Sequence, residues 1–182
     1  MARFDDLLDR FFYRPDENVG AWLELAPEIA DSIEELEELP EEFLAFELST
    51  ETYAVPIGAV REILKVPLIT SVPRVAEHVL GVMNVRGEML PVYDLKQRLN
   101  LDSTPQRVAG PSDVPRETRV VLLKDLEGDA GILVDRVRGV VRLMLSKLEP
   151  APSLGAERRA VAGLGRKDGQ LYILLDVEQA LG

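Results

Sequence analysis

The sequence predicts a mainly β fold: two small barrels of about five short strands each, packed on one another and preceded by an acidic, partly helical extension. Three observations lead there. The hydrophobic period changes from 3.6 toward 2 at Phe43. From that point the second half of the chain repeats the first. The charge is also lopsided: residues 1–42 hold 14 of the 32 acidic residues and only Arg3, Arg10 and Arg14 as bases, which accounts for the whole net charge of −11.

A chain of 182 residues makes one ordinary domain or two very small ones, and 46% hydrophobic content supports a packed core. No run of eighteen apolar residues is long enough to cross a membrane as a helix. The start MARFDDLLDR lacks the basic stretch and apolar core of a secretory signal. Cysteine is absent, which excludes disulfides, thiol catalysis and cysteine metal sites. A cytoplasmic location is the expectation. Residues 43–182 hold 18 acids and 18 bases, so the body is neutral and has no basic stripe for nucleic-acid phosphates.

Taken in order, the leader shows two helical patterns. Phe4, Leu7, Leu8 and Phe11 recur at i, i+3, i+4, i+7, and Leu25, Ile29, Ile33 and Leu36 share one face of a second segment. Pro27 fits a first helical turn, and Pro40 ends the pattern. The leader is either a solvated arm or a docking arm for a partner. FLAFELS and TYAVPI then read as strands flanking the polar tip Thr50-Glu51. VLGVMNV, EMLPVYD, TRVVLLK, AGILVD and QLYILL are strands of the same type. DLKQRL and DVEQAL are short helices, and residues 102–116, with three prolines and little periodicity, are a loop.

The repeat sets GEMLPVYDLKQRL (87–99) over GQLYILLDVEQAL (169–181) without a gap, an offset of 82 residues. VPIGAVREIL (55–64) falls over ILVDRVRGVV (132–141) at an offset of 77. A seventy-residue β unit buries a marginal core alone, so each copy is expected to close into a barrel and lean on the other. Asp94 and Asp176 stand where they can cap the short helices.

Catalytic patterns are missing. His78 is the single histidine, and there is no H-E-x-x-H, G-x-S-x-G or Walker sequence. Ser153-Leu154-Gly155 lacks an elbow. The glycines of GLGRKDG precede a strand, where a dinucleotide fingerprint would open a helix. Asp125, Glu127 and Asp129 sit in a hairpin whose ordinary explanation is a solvated turn. No enzyme and no cofactor is expected.

Binding features are better marked. In NVRGEM, Gly87 supplies the positive φ of a tight hairpin, and Asn84 can tolerate that region or bond the backbone locally. The turn does not call for Arg86, which is either an ordinary solvated arginine or a long five-donor arm for a partner's carboxylate or carbonyls. In VREILKV, Val60, Ile63 and Leu64 are expected to face the core, with Arg61 and Glu62 outward. The second copy places Gly139 opposite Glu62 and Asp168 opposite Arg86. Neither charge is therefore demanded by the shared fold.

With these residues in hand, the chain resembles the CheW family of chemotaxis coupling proteins from about Glu42 onward. FLAFELSTETYAVPIGAVREIL, VLGVMNVRGEMLPVYDLKQRL, GILVDRVRGVVRL and VAGLGRKDGQLYILLDVEQAL carry the resemblance. It implies a CheW-like domain over 42–182, built as two five-stranded SH3-like barrels, with 1–41 as an unusual extension. It further implies a non-catalytic adaptor that joins a CheA-type histidine kinase, through that kinase's CheW-like regulatory domain, to the cytoplasmic coiled-coil tip of a chemoreceptor. The resemblance implies receptor binding in the groove between the barrels, through Glu62 and Arg86, with Val60, Gly81, Asn84, Val85 and Gly87 shaping the surface. The alternative is a CheW-like module whose extension recruits a different client.

Overall fold

The computed structural model describes residues 40–101, 107–124, 128–151 and 160–181. The leader's two helical patterns, and Asp125 and Glu127 of the acidic hairpin, lie outside the described residues. Pro40–Gly182 forms one compact unit. Among the described residues no helix is long and apolar enough to cross a membrane.

The unit opens with the hairpin β1 (Glu41–Leu48) and β2 (Glu51–Pro56). A 3-10 turn leads to β3 (Val60–Lys65), and the two-residue β4 (Ile69–Thr70) precedes a hairpin of β5 (Val79–Val85) and β6 (Glu88–Asp94). The second half repeats the order: β7 (Arg119–Leu123), β8 (Ala130–Val134), β9 (Arg136–Leu143), β10 (Glu149–Pro150), β11 (Val161–Lys167) and β12 (Gln170–Leu175). Helices α1 (Leu95–Arg98) and α2 (Val177–Leu181) follow β6 and β12. The sequence marked β1, β2, β5, β6, β7, β8 and β12, but not β3, β9 and β11, nor the two-residue β4 and β10.

The two sheets run β10-β11-β12-β2-β1-β9 and β4-β5-β6-β8-β7-β3. Under the repeat that equates β1 with β7 and so onward, these orders are identical. Each sheet has five longer strands and one two-residue strand. The copies do not, however, each make their own barrel. Hairpin β1–β2 completes the sheet of β9–β12, and β7–β8 completes the sheet of β3–β6. The joins are parallel pairs, β12 with β2 and β6 with β8.

This exchange explains the apolar runs. A half-exposed strand alternates, whereas a strand covered on both faces is continuously hydrophobic. All five residues of β8 are buried, as are the last four of β7. Their side chains divide between cores. Phe43 and Ala45 fill the first barrel, while Leu44, Phe46 and Leu48 face the opposite sheet. Val120 and Leu122 fill the second barrel, while Val121 and Leu123 join that shared layer. Val108, from the segment read as a loop, is buried in the second barrel's core.

β3 corrects the expected facing of VREILKV. Strand alternation half-buries Val60, Glu62 and Leu64 and leaves Ile63 41% exposed. The i, i+3, i+4 spacing of Val60, Ile63 and Leu64 would share one face only on a helix, and pairing with β7 imposes period two.

Asp94 and Asp176 cap as expected. Asp94 accepts from the Lys96 amide at 2.9 Å, and Asp176 accepts from the Gln179 amide at 3.1 Å. Asp94 is only 1% exposed, and burial pushes its carboxyl above the ordinary carboxylate range. An acid with a raised folded value binds its proton more tightly folded than unfolded. Its cost is therefore absent below about pH 3.9 and present once pH exceeds the folded value. Asp94→Asn keeps the capping oxygen and removes the buried charge. Thermal unfolding across a pH series is expected to show a modest gain near neutrality that disappears in acid; a gain that persists unchanged in acid would contradict this account. His78 stacks on Tyr93 with ring centroids 5.9 Å apart, and burial, aided by Arg98, lowers its basicity.

Candidate functional site

In the sheet order, β3 and the β5–β6 hairpin are separated by two strands, β7 and β8. They nevertheless meet, because the twisted sheet curls into a barrel. Arg86 donates to Glu62 at 2.9 Å, and Arg61 donates to Glu88 at 3.0 Å. Two ion pairs of crossed polarity thus tie adjacent residues of β3 to the two sides of the Gly87 turn. Arg61 also pairs with Asp129, just before β8. Asp129 and Glu88 hold its guanidinium charged.

The backbone explains the aim of these side chains. The β3–β7 register passes from Val60↔Leu123 to Glu62↔Leu122, leaving Arg61 as the extra residue of a β-bulge. Bulges redirect side chains and are frequent beside binding sites. At the turn, Arg86 and Gly87 have φ of 52° and 94°. Asn84 braces the turn by accepting from the Gly87 amide at 3.0 Å. The second copy repeats both devices: Asp168 and Gly169 have φ of 51° and 78°, and Arg138 is skipped in the β1–β9 pairing.

Magnitudes separate function from stability here. Left-handed backbone costs a non-glycine residue about 1 kcal/mol, less for Asn or Asp. An exposed ion pair returns about 0–1 kcal/mol, and the Arg86 side chain is 74% exposed. Stability alone would favour the kind of residue the other copy uses, Asp168.

The seven residues expected from sequence divide into two groups. Glu62, Asn84, Arg86 and Gly87 come together at this barrel end, with Met89 (58% exposed) beside Asn84. Val85 is buried in the second barrel's core, and Val60 packs against the shared layer. Gly81 is buried with φ of 148°, and a Cβ there would lie 2.2 Å from the Thr70 carbonyl oxygen. These three shape the surface from beneath. Sequence reasoning passed over Arg61, Glu88 and Asp129 as site residues. The signal was present in the repeat, which sets Gln170 against Glu88 and Thr52 against Asp129.

Among the described residues no group of three or more His, Asp or Glu could hold a metal ion. A cleft of about 630 Å³ lies among Pro56, Ala59, Lys124, Leu175, Val177 and Glu178, where strand ends of the two sheets approach.

The CheW-like domain model matches residues 42–182. The chain is 29% identical to the chemotaxis protein CheW of Helicobacter pylori over 141 residues, covering 77% of this chain and 81% of that protein. It is 29% identical to CheW of Thermotoga maritima over 153 residues, covering 84% and 92% respectively. The crystal structure of the scaffolding protein TtCheW from Thermoanaerobacter tengcongensis superposes with a TM-score of 0.69 at 26% identity, covering 79% of this chain and 89% of that one.

Proposed function

The chain belongs to the CheW family of chemotaxis adaptors, and from that premise we propose that it couples a chemoreceptor to a CheA-type histidine kinase in the cytoplasm, at receptor arrays. The receptor's coiled-coil tip docks on the barrel end that carries Glu62 and Arg86. The kinase's CheW-like regulatory domain binds elsewhere on the unit. Coupling is equilibrium linkage: the receptor state that binds the adaptor differently shifts the kinase's population. No covalent step is involved.

The observation that carries this reading is the Arg86–Glu62 pair, formed at a site that the fold does not need and that the second copy lacks. A helix with acidic and apolar side chains matches the exposed Arg86 guanidinium and the exposed Met89 of the same hairpin.

Arg86→Asn tests it. Asparagine accepts left-handed backbone, so the unfolding free energy is expected to stay within about 0.5 kcal/mol of the parent. Affinity for a chemoreceptor cytoplasmic coiled-coil fragment should fall roughly tenfold or more, as for loss of a charge-assisted contact. Capture of the kinase's regulatory domain should be unchanged. Receptor affinity equal to the parent's would refute the role of this barrel end.

A further inference from the structure

The two barrels solve one local problem in different ways. Beside the bulge of the first barrel stand Gln170 and Thr52, and the Gln170 amide donates directly to the Thr52 hydroxyl at 3.4 Å. That contact is neutral and needs no third group. The equivalent residues of the second barrel are Glu88 and Asp129. Two carboxylates placed together repel, and a cation between them relieves the repulsion. Arg61 Nη1 supplies that cation to both. The shared arginine is not used so in the first barrel, where Arg138 pairs with Glu47 instead.

The geometry points to Arg61, Glu88 and Asp129 as a positioning group for the receptor-binding pair, with Arg61 the clamp that fixes the Gly87 turn against β3. This rests on the receptor reading above. Arg61 and Glu62 are neighbours in the bulge, and Glu88 and Arg86 flank Gly87. The Arg61–Glu88 bridge therefore holds the same two segments that the Glu62–Arg86 bridge holds. With both present the turn is tethered at two points. With one, it can rock about a single exposed contact, and Arg86 loses its fixed direction. Asp129 anchors Arg61 from the β7–β8 side, so that the clamp is fixed to the barrel and does not swing with the turn. A preset guanidinium binds more tightly because less side-chain freedom is lost on binding.

The other copy supplies a folded control. In full-length protein, Glu88→Gln with Asp129→Thr installs the pair that the first barrel already accommodates. The unfolding midpoint should stay within roughly 2 °C of the parent. Affinity for the same chemoreceptor coiled-coil fragment should fall roughly fivefold. In the Arg86→Asn background the same double change should have no further effect, because a group that acts through Arg86 has nothing left to position. An equal further loss in that background would overturn the inference, since Glu88 or Asp129 would then touch the receptor directly. Unchanged affinity of the double variant, while Arg86→Asn weakens binding, would overturn it and leave the receptor reading standing. Unchanged affinity of Arg86→Asn itself would bring down the receptor reading and this inference together.

Discussion

Phe46→Ala is expected to cost about 3–5 kcal/mol of unfolding free energy, the range for emptying a fully buried phenylalanine site. Phe46 is 0% exposed in the middle of β1, and it lies in the shared layer with Tyr53, Val121 and Ile132. The exchange makes that loss global. β1–β2 completes a sheet whose other strands come from the second copy, so neither sheet is whole without both halves of the chain. Loosening the shared layer weakens the seat of both exchanged hairpins at once. Denaturant unfolding should remain a single cooperative transition at a lower midpoint, with near-UV and far-UV circular dichroism coincident. Two separated transitions, one per barrel, would contradict a core held in common.

Gly81→Ala is expected to cost about 2 kcal/mol or more, from two additive causes. At φ of 148° a side chain is strained wherever it stands. The new methyl would also meet backbone, the Thr70 carbonyl of β4, at 2.2 Å, and backbone cannot rotate aside as a side chain can. Gly81 is the point where the β5–β6 register shifts, between Val79↔Tyr93 and Gly81↔Val92. Displacing β4 would disturb the strand that ends in the Arg86 turn. Gly163 is the internal control. It holds the same register shift in β11, but its missing methyl would lie 3.1 Å from the Glu149 oxygen, and its backbone is not left-handed. Gly163→Ala should therefore cost clearly less, by chemical denaturation of both variants. Equal costs would show that close approach and backbone strain are not what these glycines answer to.

Much of this protein was legible from local chemistry. Apolar segments bounded by turn residues marked seven of the described strands, Asp94 and Asp176 announced their caps, and Asn84 and Gly87 announced the turn. The ungapped repeat declared a doubled unit, and its mismatches at Glu62 and Arg86 singled out one barrel end. These features depend on a residue and its near neighbours, so the linear chain carries them. β3 was harder, because the apolar spacing of VREILKV fits a helical face as well as a strand. Only the pairing with β7 chose between them.

What the sequence determined by itself, then, was seven of the twelve described strands, the duplication, the turn and the family. The tertiary structure alone decided which copy's hairpin completes which sheet. The repeat equates β1–β2 with β7–β8, so the exchanged and unexchanged pairings have the same local pattern and differ only in contacts between distant segments. It also decided that Arg61, Glu62, Arg86, Glu88 and Asp129 form one cluster. Side chains separated by up to 68 residues meet there, because a curled sheet brings together strands that its hydrogen-bonding order keeps apart.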